Sequence, residues 1–283
     1  MKPFSIAALQ LDLDYSDNFD LVVEKTYQVA KRYPWIQMIV LSELAVGGSS
    51  RSLEFSLEKQ LPKFQDIAKE LGVWYIPGSF YDHALDEVKN IAPVISPKGE
   101  LVASCIKTYP FLPYETGITS GVEPCVFKIP EVGIFGMHIC YDLWFPETSR
   151  ALAMNGAQVI LHPSLTDTCD RDEEKIMARA TAIQQQCYYV DVNAGGKQGR
   201  GLSIVLGPEG EVLNESSEAE DVALIEIDTD KVDRVRKRGI KGLGQPLKSF
   251  RDNSEPFTKR TTNSKYLKDL GCLLYTSPSP RDS

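Results

Sequence analysis

Apolar runs too short for anything but strands alternate with helix-period segments along nearly the whole chain. Residues 4–11 alternate with period two and read as a strand. Phe19, Val22, Val23, Tyr27 and Ala30 then fall on one side of a helix that Asp17 caps and Pro34 stops. Residues 36–41, IQMIVL, are continuously apolar, which suits a strand covered on both faces. A helix over 52–71 ends at Gly72, and a strand over 73–80 follows. Segments 90–95 and 101–106 flank SPKGE, and 202–206 and 211–213 flank GPEG; both are hairpin signals. Further strands are predicted over 132–139, 158–161, 188–193 and 222–227. Helices are predicted from Pro146, over 172–186 and over 229–237, and 108–124 reads as irregular. This order predicts an α/β fold with mixed sheets.

No internal repeat or compositional break divides the 283 residues, so they read as one domain over 1–260 with a tail over 261–283. Within the tail, 272–283 (CLLYTSPSPRDS) has no period and resembles translated vector sequence. It is set aside as non-native.

A net charge of −8 lacks the cationic footprint that phosphate binding needs, so no nucleic-acid partner is expected. No run approaches the ~20 apolar residues that cross a bilayer, and 1–16 lacks a signal-peptide pattern. The six cysteines are scattered and form no C-x-x-C pair, which fits reduced thiols and a cytoplasmic protein. There is no G-x-S-x-G elbow and no paired-histidine motif among His83, His138 and His162, so neither a serine hydrolase nor a zinc site is predicted. No cofactor is implied.

Three reactive side chains share one setting, just past an apolar strand. Glu43 follows IQMIVLS. Lys107 follows LVASCI, with Glu115 eight residues later. Cys140 stands where VGIFGMHI gives way to a Pro-started helix. In open α/β sheets ligands bind beyond the carboxyl ends of strands, so these ends are expected to converge. Each residue alone also has an ordinary reading: Cys140 as a small buried apolar side chain, Lys107 as a solvated charge, Glu43 as a turn cap, Glu115 as a loop carboxylate.

On LSELAVGG, CIKTYPFLPYE and HICYDLWFPETSR the chain resembles the nitrilase superfamily of carbon–nitrogen hydrolases. NGAQVILHPS, ARATAIQQQCYYVDVNAGG and GLSIVLGPEGEVL fit as well, so the resemblance covers about 3–255. It implies a four-layer α-β-β-α sandwich and a homodimer or higher homo-oligomer. It also implies a Glu43–Lys107–Cys140 triad with Glu115 as a second glutamate that orients Lys107. In that scheme Glu43 is the general base, because a free thiol titrates near 8.5 and holds little thiolate at neutral pH. Cys140 is the nucleophile, and Lys107 with the backbone N–H of Tyr141 receives the oxyanion. The expected reaction is cleavage of a small amide or N-carbamoyl amine through a thioester. True nitrilases usually carry Cys-Trp-Glu where this chain has Cys140-Tyr141-Asp142. A nitrilase and a non-catalytic protein that kept the fold stay open as alternatives.

Tyr114 and Trp144, with Tyr109, Tyr141 and Phe145, lie near these groups in sequence; some of them are expected to wall an apolar pocket, with Trp144 and Phe145 as core beneath the site the alternative. His162 and Ser164, just past the next strand, are expected as rim contacts. Arg150 and the Arg171–Asp172–Glu173 cluster either steer a charged substrate or form a solvated face.

Overall fold

The first strand, β1 (Phe4–Gln10), is buried along its whole length and sits inside a sheet. This computed structural model describes residues 3–84 and 87–253; the proposed tail over 261–283 lies outside them. After β1 come β2 (Asp12–Leu13), α1 (Phe19–Arg32), β3 (Met38–Leu41), α2 (Leu57–Leu71), β4 (Trp74–Ile76) and β5 (Phe80–Ala84). Then follow β6 (Glu87–Ile95), β7 (Leu101–Ile106), β8 (Cys125–Ile129), β9 (Gly133–Met137), α3 (Pro146–Met154) and β10 (Val159–Ser164). The chain continues through α4 (Arg171–Gln185), β11 (Tyr188–Asn193), β12 (Gly195–Gly196), β13 (Ile204–Leu206), β14 (Val212–Glu215) and β15 (Asp221–Ile227). Helices α5 (Thr229–Arg238) and α6 (Pro246–Asp252) complete the described part.

Two mixed sheets face each other. One runs β15-β1-β3-β4-β6-β5, with β7 also on β6; the other runs β14-β13-β11-β10-β9-β8. Period-two alternation divides the side chains among layers. Met38 and Val40 point between the sheets, where they join Phe4, Phe135, Met137 and Leu161. Ile39 and Leu41 point outward to Val22 of α1 and Phe64 of α2. On the far face Ile160 and Tyr189 meet Leu152 of α3 and Ala178 of α4. The layers are therefore helix, sheet, sheet, helix, as the family resemblance implied.

Phe64 is fully buried, and its ring lies 5.7 Å from that of Tyr75 and 5.8 Å from that of Phe80. Phe64→Ala is expected to cost about 3–5 kcal/mol of stability. Urea unfolding measures that loss, and a change under 1 kcal/mol on that same scale would contradict this packing account.

Several expectations are corrected here. The predicted strand over 73–80 breaks at Pro77-Gly78 into β4 and β5, because Gly78 has φ +89° and runs so close to the Ser42 carbonyl that a Cβ would sit 2.2 Å from it. Strand β8 was not anticipated; its five residues end a segment dense in Pro and Gly. Strand β10 continues past 161 to Ser164. The six cysteines are not all free. Cys105 on β7 and Cys125 on β8 form a disulfide between the two sheets, with Cα atoms 5.3 Å apart. Their 20-residue separation hid the pairing, since strand packing alone brings them together. Cys140 and Cys187 are buried thiols, and Cys169 is exposed.

Candidate active site

The strand ends do converge. Glu43 stands two residues past β3, Lys107 directly past β7, and Cys140 three residues past β9. The first two belong to one sheet and the third to the other. All three side chains are buried, and they share the wall of a cavity of about 420 Å³.

Lys107 is clamped between two carboxylates. Its Nζ lies 2.8 Å from Glu43 Oε1 and 2.7 Å from Glu115 Oε2. Glu115 Oε2 also accepts from the Phe111 N–H at 2.6 Å. Asn90 of β6 completes the cluster, its Nδ2 donating to Glu43 Oε1 at 2.8 Å and Glu115 Oε1 at 2.9 Å. An ammonium carries three donors. Two are engaged by the glutamates, which leaves one for the cavity.

The electrostatics follow from burial and this shared cation. Burial pushes Glu43 up, and the neighbouring Glu115 charge adds to it. The Lys107 charge, together with hydrogen bonds from Lys107 and the Cys140 thiol, opposes that rise without cancelling it. Glu115 is also penalised by burial, but Lys107 and its N–H donors hold it below the ordinary carboxylate value. Burial opposes the Lys107 charge, yet the surrounding anions hold its pKa well above normal. Burial and the Glu43 charge push the Cys140 thiol well up. The site therefore pairs a protonated thiol with a carboxylate of raised proton affinity, which is the arrangement a general base needs.

Cys140 opens a tight 3-10 turn over Cys140–Trp144 and adopts φ +47°, a left-handed conformation that costs an L-residue energy. Its Sγ lies 3.9 Å from the Leu165 carbonyl and 4.0 Å from Thr166 Oγ1. Asp142 fastens this turn to the lysine segment. Its carboxylate accepts from Ile139 N at 2.9 Å, Tyr109 N at 2.8 Å and Thr108 N at 3.0 Å. Burial pushes Asp142 up to about 6 against these three donors.

Of the aromatics expected here, Tyr114, Tyr141 and Trp144 line the cavity. Tyr109 and Phe145 instead stack on each other, ring centroids 3.5 Å apart. His162 and Ser164 do not line the cavity. Both are fully buried; His162 bonds Asp191 and the Cys140 carbonyl, and Ser164 bonds Thr166. Arg171 is neither a steering charge nor a solvated one, since it is fully buried against Glu174 and Asp191. Arg150 lies over the Phe250 ring at 5.1 Å. Sequence reasoning missed Asn90, Tyr15, Tyr81, Phe111 and Asp167. Asn90 had a usable signal, as an amide at the head of the apolar run 91–95. Among the described residues, no group of three His, Cys, Asp or Glu side chains is placed to hold a metal ion.

A family model described as carbon-nitrogen hydrolase matches residues 5–237. The deaminated glutathione amidase of Mus musculus is 30% identical over 199 residues, covering 62% of this chain and 61% of that protein. The match thus spans about three fifths of that relative's length. A nitrilase of Pyrococcus abyssi is 28% identical over 267 residues, covering 86% of this chain and 93% of the relative. The crystal structure of a carbon-nitrogen hydrolase from Helicobacter pylori G27 superposes with a TM-score of 0.79 at 23% identity, over 92% of this chain and 99% of the other.

Proposed function

The chain belongs to the carbon-nitrogen hydrolase family, and on that premise we propose that it is a thiol hydrolase of small amides or N-carbamoyl amines. The observation that carries this reading is Cys140 on one cavity wall with the Glu43–Lys107–Glu115 cluster. In the proposed cycle Glu43 takes the Cys140 proton as Sγ bonds to the substrate carbonyl carbon. The remaining Lys107 N–H and the Tyr141 backbone N–H receive the oxyanion. The C–N bond breaks, and the leaving amine or ammonia takes the proton from Glu43. Water then gives a proton to Glu43 and attacks the thioester. The C–S bond breaks, Cys140 regains its proton, and a carboxylic or carbamic acid leaves. Tyr114 and Trp144 are proposed substrate contacts.

The amidase name of the mouse relative supports the amide substrate. The nitrilase name of the archaeal relative supports a second reading, a small nitrile attacked by the same thiol. A panel of amides, N-carbamoyl amines and nitriles scored by ammonia release separates them. Release from amides without release from the matching nitriles is expected; the reverse pattern would replace the amide reading.

A homo-oligomer is proposed too, supported by Met154 of α3 and Ile176 of α4, 64% and 70% exposed on the outer helix layer. Light scattering after size exclusion tests it. No helix among the described residues is long and apolar enough to cross a membrane.

A further inference from the structure

A closed ring of buried polar groups runs behind Cys140; its Thr166 and Glu174 line the cavity, whereas His162, Asp191 and Arg171 lie behind it. The parallel register of β10 and β11 sets His162 beside Asp191, and His162 Nδ1 lies 2.7 Å from Asp191 Oδ1. The other ring nitrogen, Nε2, lies 2.9 Å from the Cys140 carbonyl oxygen. Asp191 is bound on its second oxygen by Arg171. Arg171 Nη1 reaches Glu174 at 3.0 Å, and Glu174 accepts from Thr166 Oγ1 at 3.2 Å. Thr166 returns the ring to Cys140 Sγ.

The proton inventory of the histidine is fixed by its partners. A carbonyl oxygen only accepts, and a carboxylate paired with a buried guanidinium stays ionised and only accepts. Both ring nitrogens therefore donate, and His162 is an imidazolium. Burial pulls its pKa down, but the bond and charge of Asp191, the Cys140 carbonyl and Glu174 outweigh that and hold it above the ordinary value. The other groups facing it are His138, kept neutral by burial and by the His162 charge, and Tyr189, whose hydroxyl bonds His138.

The bonded carbonyl has a partner in the same peptide. The Cys140 C=O and the Tyr141 N–H belong to one planar trans unit and point in opposite directions. Fixing the carbonyl inward on His162 turns the N–H outward, and Tyr141 lines the cavity. As the second residue of its turn, Tyr141 has no acceptor for that N–H within the turn. A charged donor on the carbonyl also polarises the peptide and strengthens its N–H as a donor.

We propose that His162, held by Asp191, is a positioning residue that aims and strengthens the Tyr141 N–H as an oxyanion donor through the Cys140–Tyr141 peptide. This rests on the hydrolase reading above and deepens it.

The test compares two reactions of the same thiol. Amide hydrolysis builds an oxyanion; alkylation of Cys140 by iodoacetamide displaces iodide and builds none. In His162→Gln, kcat on a cleaved amide is expected to fall on the order of 10²-fold, the scale of one oxyanion donor, with KM and the alkylation rate nearly unchanged. Asp191→Asn is expected to show the same split and serves if the first variant fails to fold. In wild type, ¹⁵N NMR at neutral pH is expected to find both His162 ring nitrogens protonated. Alkylation slowing in step with kcat would reduce His162 to a support for the thiol and overturn the proposal, as would unchanged kcat or a singly protonated ring. A wild type that cleaves no amide overturns the hydrolase reading itself. A wild type that cleaves amides, with His162→Gln equally fast, overturns only the peptide device.

Discussion

Cys140→Ala is expected to abolish ammonia release from every amide the wild type cleaves, while the protein unfolds at nearly the wild-type midpoint. The two outcomes separate because the thiol has two roles of very different size. In packing, Sγ is one atom beside the Leu165 carbonyl and Thr166, and alanine keeps the Cβ. Both residues also meet the same backbone cost at φ +47°. The stability change should be about 1 kcal/mol, an ordinary point-mutant effect. In the proposed chemistry Sγ forms the bond to carbon, and removing a nucleophile of this kind costs on the order of 10⁶-fold in kcat. Intact mass during turnover supplies a second measurement: an acyl adduct on the wild type and none on the variant. Retained hydrolysis in Cys140→Ala would sink the proposed mechanism.

Lys107→Met should do two kinds of damage. It removes the proposed oxyanion donor, and it leaves Glu43 and Glu115 buried around the shared Asn90 amide without their cation. Removing one partner of a buried ion pair typically costs about 3–5 kcal/mol. The pH dependence of stability should change as well. In the wild type the two carboxylates oppose each other, Glu43 held above its ordinary pKa and Glu115 below it. Glu115 therefore stabilises the fold above its unfolded value and loses that contribution as pH falls through the folded one, whereas the Glu43 contribution is complete at acid pH and is lost as pH rises. In Lys107→Met the lowering by the cation is lost from both, and burial with the mutual repulsion of the two carboxylates outweighs the Asn90 and Phe111 donors, so the folded values rise above the unfolded ones. Their contribution is then complete at acid pH and is lost as pH rises through the folded values. Between acid and neutral pH the urea midpoint of the variant should therefore fall more steeply with rising pH than that of the wild type. Parallel curves would show that Lys107 does not set the charge state of its two neighbours.

The readable part of the site was the part carried by strand ends. Glu43, Lys107 and Cys140 each follow an apolar run, and a polar residue there must turn from the interior to a crevice. Residues that reach the same crevice by other routes left weaker traces. Asn90 sits within β6, and Tyr15 and Asp167 come from loops remote from the three motifs. His162 and Ser164 were misplaced because the apolar run ends at Leu161 while hydrogen bonding to β11 continues through Ser164. Polar residues inside a strand are tolerated when partners wait for them, and those partners, Asp191 and Thr166, belong to other elements. The layered fold was legible from the order of elements and the family resemblance. The Cys105–Cys125 bond was not, since it depends on how one sheet lies over the other.

The divided origin of the site makes the interior of the sandwich a spacer. Glu43 and Lys107 ride on one sheet and Cys140 on the other. Between the sheets lie side chains such as Phe4 and Phe135, whose rings meet edge to face at 5.8 Å. Close-packed interiors pass on a change of one methylene rather than absorbing it. Thickening or thinning this layer therefore alters the gap between thiol and carboxylate without touching either. An engineer seeking a hardier variant has freer choice in the two outer helix interfaces than in this middle layer, where volume also sets the distance between the proposed nucleophile and its proposed base.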